Sequence, residues 1–419
     1  MSNQLNRRNF LARTAGVTAA ASLGTRLATA RAIGANDRIR IGVIGAGARG
    51  QEDLKNALAV PNVECVAMAD AYTRRHDEVR AKLVPKIEAY TDYRKLLDRK
   101  DIDGVIVATP VFLHVIHFLD TLKAGKDLYS EKTMTWSIPE AVQCREAAKN
   151  SDRVIQIGLQ HESSGSLADA KQWIVEGKLG KVTQVESWMS RNSPVGEGQW
   201  VRRIPSDCNP EHVDWNLFLA NRPKKPFNAN EFINWRLFWE YSKGNLTENM
   251  IHQIAWIISA LDLDLPTAAT MSGGIFLEND GREVPDTIAV TLEYPEKVIT
   301  WQSTFGNNHF GLGERLLGRS GSVQHLWGAT DMVTGKSKEE TRYYPEKVTN
   351  PSGDELIGQN KNQNHMANFF DCMRTRKQPN APVEIGYKSA VAVIMANIAY
   401  REKRRITLEE AMAYKPEYA

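Results

Sequence analysis

The segment at residues 38–60 places the strongest constraint on the fold of this chain. Residues 38–44 are predicted to form a buried β-strand. The sequence Gly45-Ala46-Gly47-Ala48-Arg49-Gly50 follows directly, and a predicted helix comes next. In such a turn the first glycine permits a tight bend, the second lets the backbone approach a pyrophosphate, and the third lets helix and strand pack closely. Because the helix N-terminus also offers free N–H groups, the pattern predicts a dinucleotide site at Gly45, Gly47, Arg49 and Gly50.

An acidic residue follows the second predicted strand. Residues 63–69 are mostly apolar and end at Asp70, at about the distance from Gly45 expected for the acid that binds a ribose 2′-hydroxyl. A carboxylate there repels a 2′-phosphate, so NAD is favoured as the cofactor. Arg74 and Arg75 leave NADP as the less favoured alternative. An ordinary helix N-cap is the other interpretation of Asp70.

The pattern of strands divides the chain into two predicted domains. Strands alternate with helices up to about residue 160, which predicts a doubly wound parallel sheet in a Rossmann domain at 37–160. Alternating strands then predict an α+β substrate and oligomerisation domain at 161–380, with an open, mainly antiparallel sheet. Its strands are expected at 182–188, 267–276, 287–294, 298–304 and 314–326. A helical segment at 381–419 is expected to pack back on the first domain, and the fold class is α/β.

Composition and charge exclude several functional classes. The formal net charge is +3 and there is no dense run of Lys and Arg, so nucleic-acid binding is not expected. The four cysteines are widely spaced and no pair has metal-ligand spacing, so no metal site is expected. No stretch is long and apolar enough for a predicted membrane span.

The N-terminal 32 residues resemble a twin-arginine (Tat) signal peptide. Arg7-Arg8-Asn9-Phe10-Leu11 precedes a stretch of small and weakly apolar residues, and Ala28-Thr29-Ala30 has the form of a cleavage site. A disordered basic tail is the alternative interpretation. The resemblance implies recognition by the Tat export machinery and a periplasmic or secreted protein.

Several short motifs together indicate a family. The glycine turn, Asp70, Thr109-Pro110-x-x-x-His114, Ala124-Gly125-Lys126 and Glu131-Lys132 jointly resemble the Gfo/Idh/MocA oxidoreductases, which include glucose–fructose oxidoreductase and inositol dehydrogenase. The likeness extends over roughly residues 37–419. It implies a dinucleotide cofactor, and it adds Thr109, Pro110, His114, Glu131, Lys132 and Gln160 to the predicted cofactor-binding residues.

The resemblance also implies catalytic roles. Lys132 matches the family lysine that sits beside the nicotinamide and the reacting hydroxyl, although Thr133 stands where the family usually has proline. His252 matches the proton-transferring histidine, and Glu248, four residues earlier and so on the same helical face, matches the residue that orients it. Imidazole titrates near neutral pH and can accept the proton released by an alcohol. A solvated strand-end lysine and a structural Glu–His pair are the alternatives on spacing alone.

Substrate contacts are predicted mainly from aromatic residues and histidines. Trp235 and Arg236 lie in the aromatic stretch 232–241, and aromatic faces stack on sugar C–H surfaces. A packed core is the alternative for any single tryptophan. His161, where the family often has arginine, and His365, where it often has histidine, complete the predicted substrate set.

These features predict hydride transfer between NAD and a hydroxyl of a sugar, polyol or glycoside, in a protein that forms homo-oligomers through its C-terminal sheet. A redox-neutral glycosidase, which oxidises a ring carbon transiently, eliminates the glycosidic bond and returns the hydride, would use the same residues. A non-catalytic sugar-binding protein is a third possibility, against which the presence of both Lys132 and His252 argues.

Overall fold

The computed structural model describes residues 38–194, 197–330 and 337–416. The predicted signal peptide at 1–32 lies outside the described residues. Within them, the chain forms a six-stranded sheet and a nine-stranded sheet with associated helices.

The first sheet is parallel throughout, with strand order β3-β2-β1-β4-β5-β6. Its strands are short and largely apolar because helices cover both faces. The order reverses between β1 and β4, which is where ligands bind in such sheets. The strands are β1 (Ile39–Ile44), β2 (Val63–Ala69), β3 (Glu88–Tyr90), β4 (Gly104–Val107), β5 (Asp127–Glu131) and β6 (Ile155–Gly158). The helices that connect them are α1 (Ala48–Leu58), α2 (Thr73–Lys82), α3 (Tyr93–Leu97), α4 (His114–Lys123) and α5 (Ile138–Lys149).

The second sheet has the order β14-β13-β12-β11-β7-β10-β9-β8-β15. Neighbouring strands are antiparallel except β7 and β10, which run parallel. Its strands are β7 (Val182–Ser190), β8 (Ala268–Gly274), β9 (Thr287–Tyr294), β10 (Lys297–Thr304), β11 (Leu312–Gly318), β12 (Gly321–Thr330), β13 (Ser337–Pro345), β14 (Leu356–Ile357) and β15 (Ile406–Thr407). The predicted α/β fold class with two sheets is confirmed.

One strand prediction is wrong. The sequence predicted a single strand at 314–326, whereas the structure forms the antiparallel hairpin β11–β12. Gly318 and Gly321 flank its turn, and a Cβ atom at Gly318 would lie 2.3 Å from the carbonyl oxygen of Leu179. The close backbone approach that ends β11 depends on tertiary contact, so the local pattern did not show it.

Helices of the C-terminal half of the chain, after residue 160, pack on one face of the larger sheet and also contact the first sheet. The long helix α11 contacts α9 and β8, and it also contacts α5 and β6 of the first half. Phe369 and Phe370 of α10 are buried in the same core as Ile41 of β1. Residues 365–375 therefore join the Rossmann core, although they lie in the segment predicted for the substrate domain. The helices are α6 (Gly165–Val175), α7 (Trp215–Leu219), α8 (Ala229–Ile233), α9 (Ile251–Leu261), α10 (His365–Thr375), α11 (Val383–Glu402) and α12 (Leu408–Ala413).

A segment of the second half crosses over the first sheet. We call residues 197–245 the clamp segment. Val213 forms a β-bridge with Tyr72 just after β2, the Asp214 N–H donates to the carbonyl of Ala71 at 2.8 Å, and the Tyr72 hydroxyl donates to Asp207 at 2.7 Å. The clamp segment thus closes one side of the cleft at the carboxyl ends of the parallel strands.

Two structural features, a membrane-spanning helix and a metal-ligand cluster, were searched for among the described residues. No helix of the described residues is long and apolar enough to cross a membrane. The same residues contain no group of three or more His, Cys, Asp or Glu side chains that could hold a metal ion.

Candidate active site

The main cleft lies at the carboxyl ends of β1, β2, β4 and β5, under the clamp segment and beside the start of α9. Its volume is about 420 Å³. Most of the predicted site residues line it together, namely Gly45, Gly47, Arg49, Asp70, Thr109, Pro110, Glu131, Lys132, Gln160, Trp235, Arg236, Glu248 and His252. Four predicted residues do not line it, namely Gly50, His114, His161 and His365.

The glycine turn has the geometry that a pyrophosphate site requires. Gly45 adopts a φ of +85°, which favours glycine, and a Cβ at Gly50 would lie 1.9 Å from the carbonyl oxygen of Gly45. At Gly47 no atom of the described residues lies within 4 Å of the position a Cβ would take, so the backbone is open to the cleft. Gly47 precedes α1 without a side-chain cap, and the first turn of α1 contains no acid. The N–H groups at this helix end are therefore available to an anion.

Asp70 lies at the end of β2 and is held by backbone. Its carboxylate accepts from the Ala46 N–H at 2.7 Å and from the Tyr72 N–H at 2.9 Å. Burial raises the pKa of Asp70, and these two bonds oppose that shift. Arg75 donates to Glu78 at 2.7 Å, and Arg74 is bonded to Glu78 and Asp207. Both arginines that could have met a 2′-phosphate thus have acidic partners, which supports NAD over NADP.

Glu131, the last residue of β5, is the centre of a polar network. Its Oε1 accepts from Arg49 Nε at 3.0 Å and from Gln160 Nε2 at 2.9 Å. Arg49 also lies 2.7 Å from the buried Asp53. Arg49 and Gln160 therefore position Glu131 within the cleft wall, and Arg49 itself is fixed by two acids.

Lys132 extends from this network toward the C-terminal half of the chain. Its ammonium donates to the carbonyl of Glu248 at 2.8 Å and lies 3.6 Å from the Glu248 carboxylate. Burial lowers the pKa of Lys132, and the charges of Glu248 and Glu131 oppose that shift. The Lys132–Thr133 peptide is cis. Lys132 thus reaches the start of α9 and joins the two halves of the site.

His114 supports the strand ends from behind the cleft. One ring nitrogen lies 2.7 Å from the Thr133 carbonyl oxygen and the other 2.8 Å from that of Thr109. The ring is buried, and burial lowers its pKa. His114 therefore ties the Thr109 turn to the residue after Lys132, which places it among the residues that shape the cofactor site rather than on the cleft surface.

Glu248 has partners other than the predicted one. Its carboxylate accepts from Arg236 Nε at 2.8 Å, and the Arg236 guanidinium lies 4.2 Å from the centre of the Trp235 ring. Burial would raise the pKa of Glu248, but Lys132 and Arg236 outweigh it and hold that pKa below its usual range. Within the described residues no hydrogen bond joins Glu248 to His252. The predicted Glu248–His252 pair is thus replaced by contacts to Lys132 and Arg236.

The surroundings of His252 disfavour its charged form. Burial lowers its pKa well below the ordinary value, and the charge of Lys132 adds to the shift. Its Nδ1 is buried and has no hydrogen-bond partner among the described residues. It lies in the first turn of α9, directly after a π-helical turn at Leu246–Met250. A neutral imidazole at the cleft can accept a proton.

The structure does not bring His161 and His365 to the cleft surface. His161 is stacked on Trp327 at 3.5 Å between ring centres, and its ring lies 5.1 Å from that of His252. Burial lowers the pKa of His161 to about 3. His365 is bonded to Ser163 at 2.7 Å and to the Ile157 carbonyl at 3.1 Å, so its ring nitrogens are engaged within the protein. His161 therefore lies behind His252, and His365 is a structural residue.

Sequence reasoning missed part of the cleft wall. Tyr93, Leu217, Phe218, Phe232 and Arg202 line the cleft as well. Three of the four apolar or aromatic residues come from the clamp segment, and its aromatic content was the available signal. Arg202 is not part of any recognisable local sequence pattern. It can be identified as a cleft residue only from its position in the folded protein.

Comparison with known proteins relates these features to a family. A Gfo/Idh/MocA model described as "Oxidoreductase family, NAD-binding Rossmann fold" matches residues 39–159. A second Gfo/Idh/MocA model, described as "Oxidoreductase family, C-terminal alpha/beta domain", matches residues 212–408. Together they extend over about three quarters of the chain.

Similar curated proteins match part of the chain. The scyllo-inositol 2-dehydrogenase (NAD(+)) of Bacillus subtilis is 30% identical over 187 residues, which is 43% of this chain and 54% of that protein. A glycosyl hydrolase family 109 protein of Shewanella pealeana is 30% identical over 175 residues, 36% of this chain and 38% of the relative. The chain therefore spans about half or less of the length of these curated relatives.

Solved structures share the fold over nearly their whole length. The apo scyllo-inositol dehydrogenase from Lactobacillus casei has a TM-score of 0.64 at 15% identity, covering 89% of this chain and 99% of that one. GenD2 from gentamicin A biosynthesis, in complex with NAD, has a TM-score of 0.64 at 16% identity, covering 88% and 96%. The two family models match most of the chain, and the glycine turn directly follows β1. This chain therefore belongs to the Gfo/Idh/MocA oxidoreductase family, and its first domain is the NAD-binding Rossmann domain of that family.

Proposed function

We propose that this protein is an NAD-dependent oxidoreductase that transfers a hydride between nicotinamide and the hydroxyl-bearing carbon of a sugar, polyol or glycoside. The observation that carries the proposal is that Lys132 and His252 line the same cleft as the glycine turn. A cofactor turn, a cation and a neutral base in one cleft are the groups that alcohol oxidation needs. The inositol dehydrogenase relatives support the substrate class.

The residues present fit the cofactor. Gly45 and Gly50 let the turn pack closely against the neighbouring backbone, Gly47 leaves its backbone open to the cleft, and the uncapped start of α1 offers N–H groups to the pyrophosphate. Asp70 would meet the adenine-side ribose, and Thr109 and Pro110 line the cleft after the next strand. NAD, when bound, supplies the acceptor or donor of the hydride.

The proton chemistry follows from the surroundings of His252 and Lys132. Oxidation of an alcohol releases a hydroxyl proton, and the neutral form of the His252 ring, which burial favours, can accept it. The Lys132 ammonium can donate a hydrogen bond to the same oxygen and stabilise negative charge on it. Glu248 holds Lys132 and Arg236 in place through its carbonyl and carboxylate oxygens. We therefore assign His252 as base, Lys132 as electrostatic catalyst and Glu248 as the residue that positions Lys132.

Purified protein tests the proposal. NAD is added with a panel of inositols, aldoses, methyl glycosides, uronates and sugar phosphates, and NADH formation is followed by absorbance for the wild type and for Lys132→Met. We expect NADH with at least one neutral or acidic polyol and its loss in the variant. No NADH with any member of the panel, while NAD binds, would contradict the dehydrogenase proposal.

A second arm covers the glycosidase alternative, which the family 109 relative favours at the same 30% identity. Aryl glycosides are incubated with the protein and a catalytic amount of NAD. Release of the aryl alcohol without net NADH would assign the oxidation, elimination and reduction sequence to this cleft. Release of NADH without bond cleavage would assign the dehydrogenase.

We also propose that residues 1–32 direct export by the Tat machinery to the periplasm or beyond the cell. The support is the Arg7-Arg8 pair and the small-residue site that follows it. Fractionation of cells that express the full chain tests this, with Arg7→Lys, Arg8→Lys as the matched variant. Equal export of both proteins would contradict the proposal.

A homo-oligomer formed through the larger sheet is a further part of the proposal. The face of this sheet away from the helices is lined by Trp188, Gln302 and Arg315, with Phe276 and Phe310 each 74% exposed beside it. Exposed aromatic residues on an open sheet face are typical of an interface. Light scattering after size-exclusion chromatography should give more than one chain, and Phe310→Ser should shift the equilibrium toward monomer.

A further inference from the structure

The substrate end of the cleft has more positive than negative side chains. Arg49 and Glu131 pair with each other on the cofactor side. Lys132, Arg202 and Arg236 are cationic residues that line the cleft, and Glu248 is a carboxylate that lines it with them. Both Lys132 and Arg236 already share Glu248. The charge of Arg202 is therefore not balanced within the site.

Arg202 is held in place through its backbone. Its N–H donates to Asn234 Oδ1 at 2.7 Å, and its carbonyl accepts from Asn234 Nδ2 at 3.3 Å. Asn234 is buried and is itself bonded to Asn230 at 2.8 Å. Because Asn234 directly precedes Trp235 and Arg236, it fixes Arg202 relative to both.

The Arg202 guanidinium makes no hydrogen bond and no ion pair across the parts of the chain that the structure describes, and its side chain is exposed at the cleft. Partial burial and the charges of Arg236 and Arg75 lower its pKa. An anionic ligand in the cleft can therefore pair with this guanidinium without displacing a protein partner.

Arg191 approaches the same place from β7. Along β7 the residues Val185, Ser187 and Met189 are buried on the face that meets the helices, and Arg191 continues that row just beyond the strand end. Its N–H pairs with the Thr304 carbonyl, so the strand geometry persists to Arg191. Its side chain thus points to the side of the sheet where α9 lies.

The surroundings of Arg191 also lack a free acid. Burial lowers its pKa, and Glu248 is the acid close enough to oppose the shift. Arg191 in turn lowers the pKa of His252, which places its charge near the imidazole. Among the described residues its guanidinium has no hydrogen bond or ion pair. Arg191, whose charge acts on Glu248, and Arg202, whose charge acts on Arg236, are therefore two guanidinium groups without partners among the described residues.

We propose that Arg191 and Arg202, together with Arg236, form an anion subsite, and that the substrate is an acidic sugar that carries a carboxylate, phosphate or sulfate group. The inference rests on the proposed function and specifies its substrate. Guanidinium groups bind such oxyanions through paired N–H donors and make stronger hydrogen bonds to charged than to neutral acceptors. The acid group lies in the Arg191–Arg202–Arg236 subsite, and the reacting hydroxyl is presented to Lys132 and His252.

Binding to the NAD-loaded protein tests the subsite without turnover. Matched ligands are titrated by calorimetry at low salt: glucose with glucuronate, glucose with glucose 6-phosphate and with glucose 6-sulfate, and galactose with galacturonate. NAD is present throughout so that the pyrophosphate site is filled. We expect at least one acid to bind about tenfold or more tightly than its neutral partner, with the difference shrinking as salt increases. Which acid shows the preference distinguishes a sugar carboxylate from a phosphate or sulfate ester.

Variants assign the preference to the two arginines. Arg191→Gln and Arg202→Gln should each reduce acid binding about tenfold and leave NAD affinity and melting temperature close to the wild type. Arg203→Gln is the matched control, because Arg203 is the exposed neighbour of Arg202 and does not line the cleft. It should bind the acids as the wild type does.

The outcomes separate this inference from the proposed function. Equal affinity for acidic and neutral partners, or no binding of either, overturns the anion subsite, even if NADH forms with neutral polyols. A loss of NAD affinity in Arg202→Gln, with acid binding unchanged, overturns the role of Arg202 by assigning it to the cofactor. Tight acid binding without any hydride transfer supports the subsite and contradicts the oxidoreductase.

Discussion

The two halves of the cleft differ in how their charged groups are satisfied. On the cofactor side Arg49 is bonded to Glu131, Asp70 to two backbone N–H groups, and Arg75 to Glu78. On the substrate side the Arg202 guanidinium and the buried Nδ1 of His252 have no hydrogen-bond partners among the described residues. The charged groups of the cofactor half are thus paired within the protein, whereas the substrate half leaves the exposed Arg202 guanidinium available to a ligand. Such groups are where specificity is expected to lie.

The largest effect should come from the residue that joins the two halves. Lys132→Met should reduce the rate of hydride transfer by about 10³-fold, because it removes the cation that stabilises charge on the reacting oxygen. NAD affinity should change little, since Lys132 bonds to Glu248 and not to the glycine turn. Steady-state kinetics with calorimetry of NAD binding makes the measurement. A comparable loss of NAD affinity would show that Lys132 belongs to the cofactor half.

The glycine turn allows a sharp test of the cofactor half. Gly50→Ala should lower NAD affinity by about tenfold or more and also lower the melting temperature, because the new Cβ would meet the Gly45 carbonyl oxygen at 1.9 Å. Gly47→Ala is the matched control for stability, since its Cβ meets no atom within 4 Å in the part of the chain that the structure describes. It should lose NAD affinity with an unchanged melting temperature. Normal NAD binding by both variants would place the dinucleotide elsewhere.

The clamp segment should control how quickly the cofactor leaves. Phe232 lines the cleft and packs edge-on against Tyr72, with 5.6 Å between the ring centres. Phe232→Ala should therefore raise the NAD dissociation rate several-fold, to about tenfold, through lost apolar contact. Stopped-flow displacement of NAD measures it. Tyr72→Phe, which removes only the bond to Asp207, should have a smaller effect, and equal rates in all three proteins would separate the clamp segment from cofactor retention.

The smallest effect concerns the pH dependence of stability in the substrate half. Glu314 is 1% exposed, and burial raises its pKa to about 8 although Gln253 and Trp327 donate to it. Between its ordinary pKa near 4.5 and about 8, the folded state holds a proton that the unfolded state has released. Stability should therefore fall as pH rises through this window.

Denaturant unfolding at several pH values checks the sign. Glu314→Gln should show a weaker decline between pH 5 and pH 8 than the wild type, because the amide does not titrate. Glu355→Gln, which changes an exposed carboxylate, is the control and should follow the wild type. A wild-type protein that becomes more stable across this range would contradict the assignment to Glu314.

The difference between the cofactor side and the substrate side of the cleft also explains which site residues could be predicted from the sequence. The glycine turn and Asp70 lie at strand ends whose order follows from the alternation of strands and helices, so local pattern located them, and the family resemblance added Glu131-Lys132. The Glu248–His252 pair was expected from helical spacing, but the carboxylate is bonded to Arg236, a residue of the clamp segment. Arg191, Arg202 and Glu314 acquire their surroundings only from tertiary contact. Spacing along one helix could not show which competing partner lies nearer.

His161 and His365 show a related limit. Both were expected to contact substrate, yet one is stacked on Trp327 of β12 and the other is bonded to Ser163 and the Ile157 carbonyl. Their partners lie on strands and turns that are distant in sequence.

The domain boundaries at 160 and 380 stay predictions, and α10 shows that residues before 380 already pack with β1.

A crystal structure of the protein with bound NAD would locate the cofactor relative to Lys132 and His252. We expect the pyrophosphate on the turn at Gly45–Gly50, the adenine-side ribose at Asp70, and the nicotinamide facing the space between Lys132 and His252. A dinucleotide bound outside this cleft, or one whose nicotinamide points away from both side chains, would contradict this expectation.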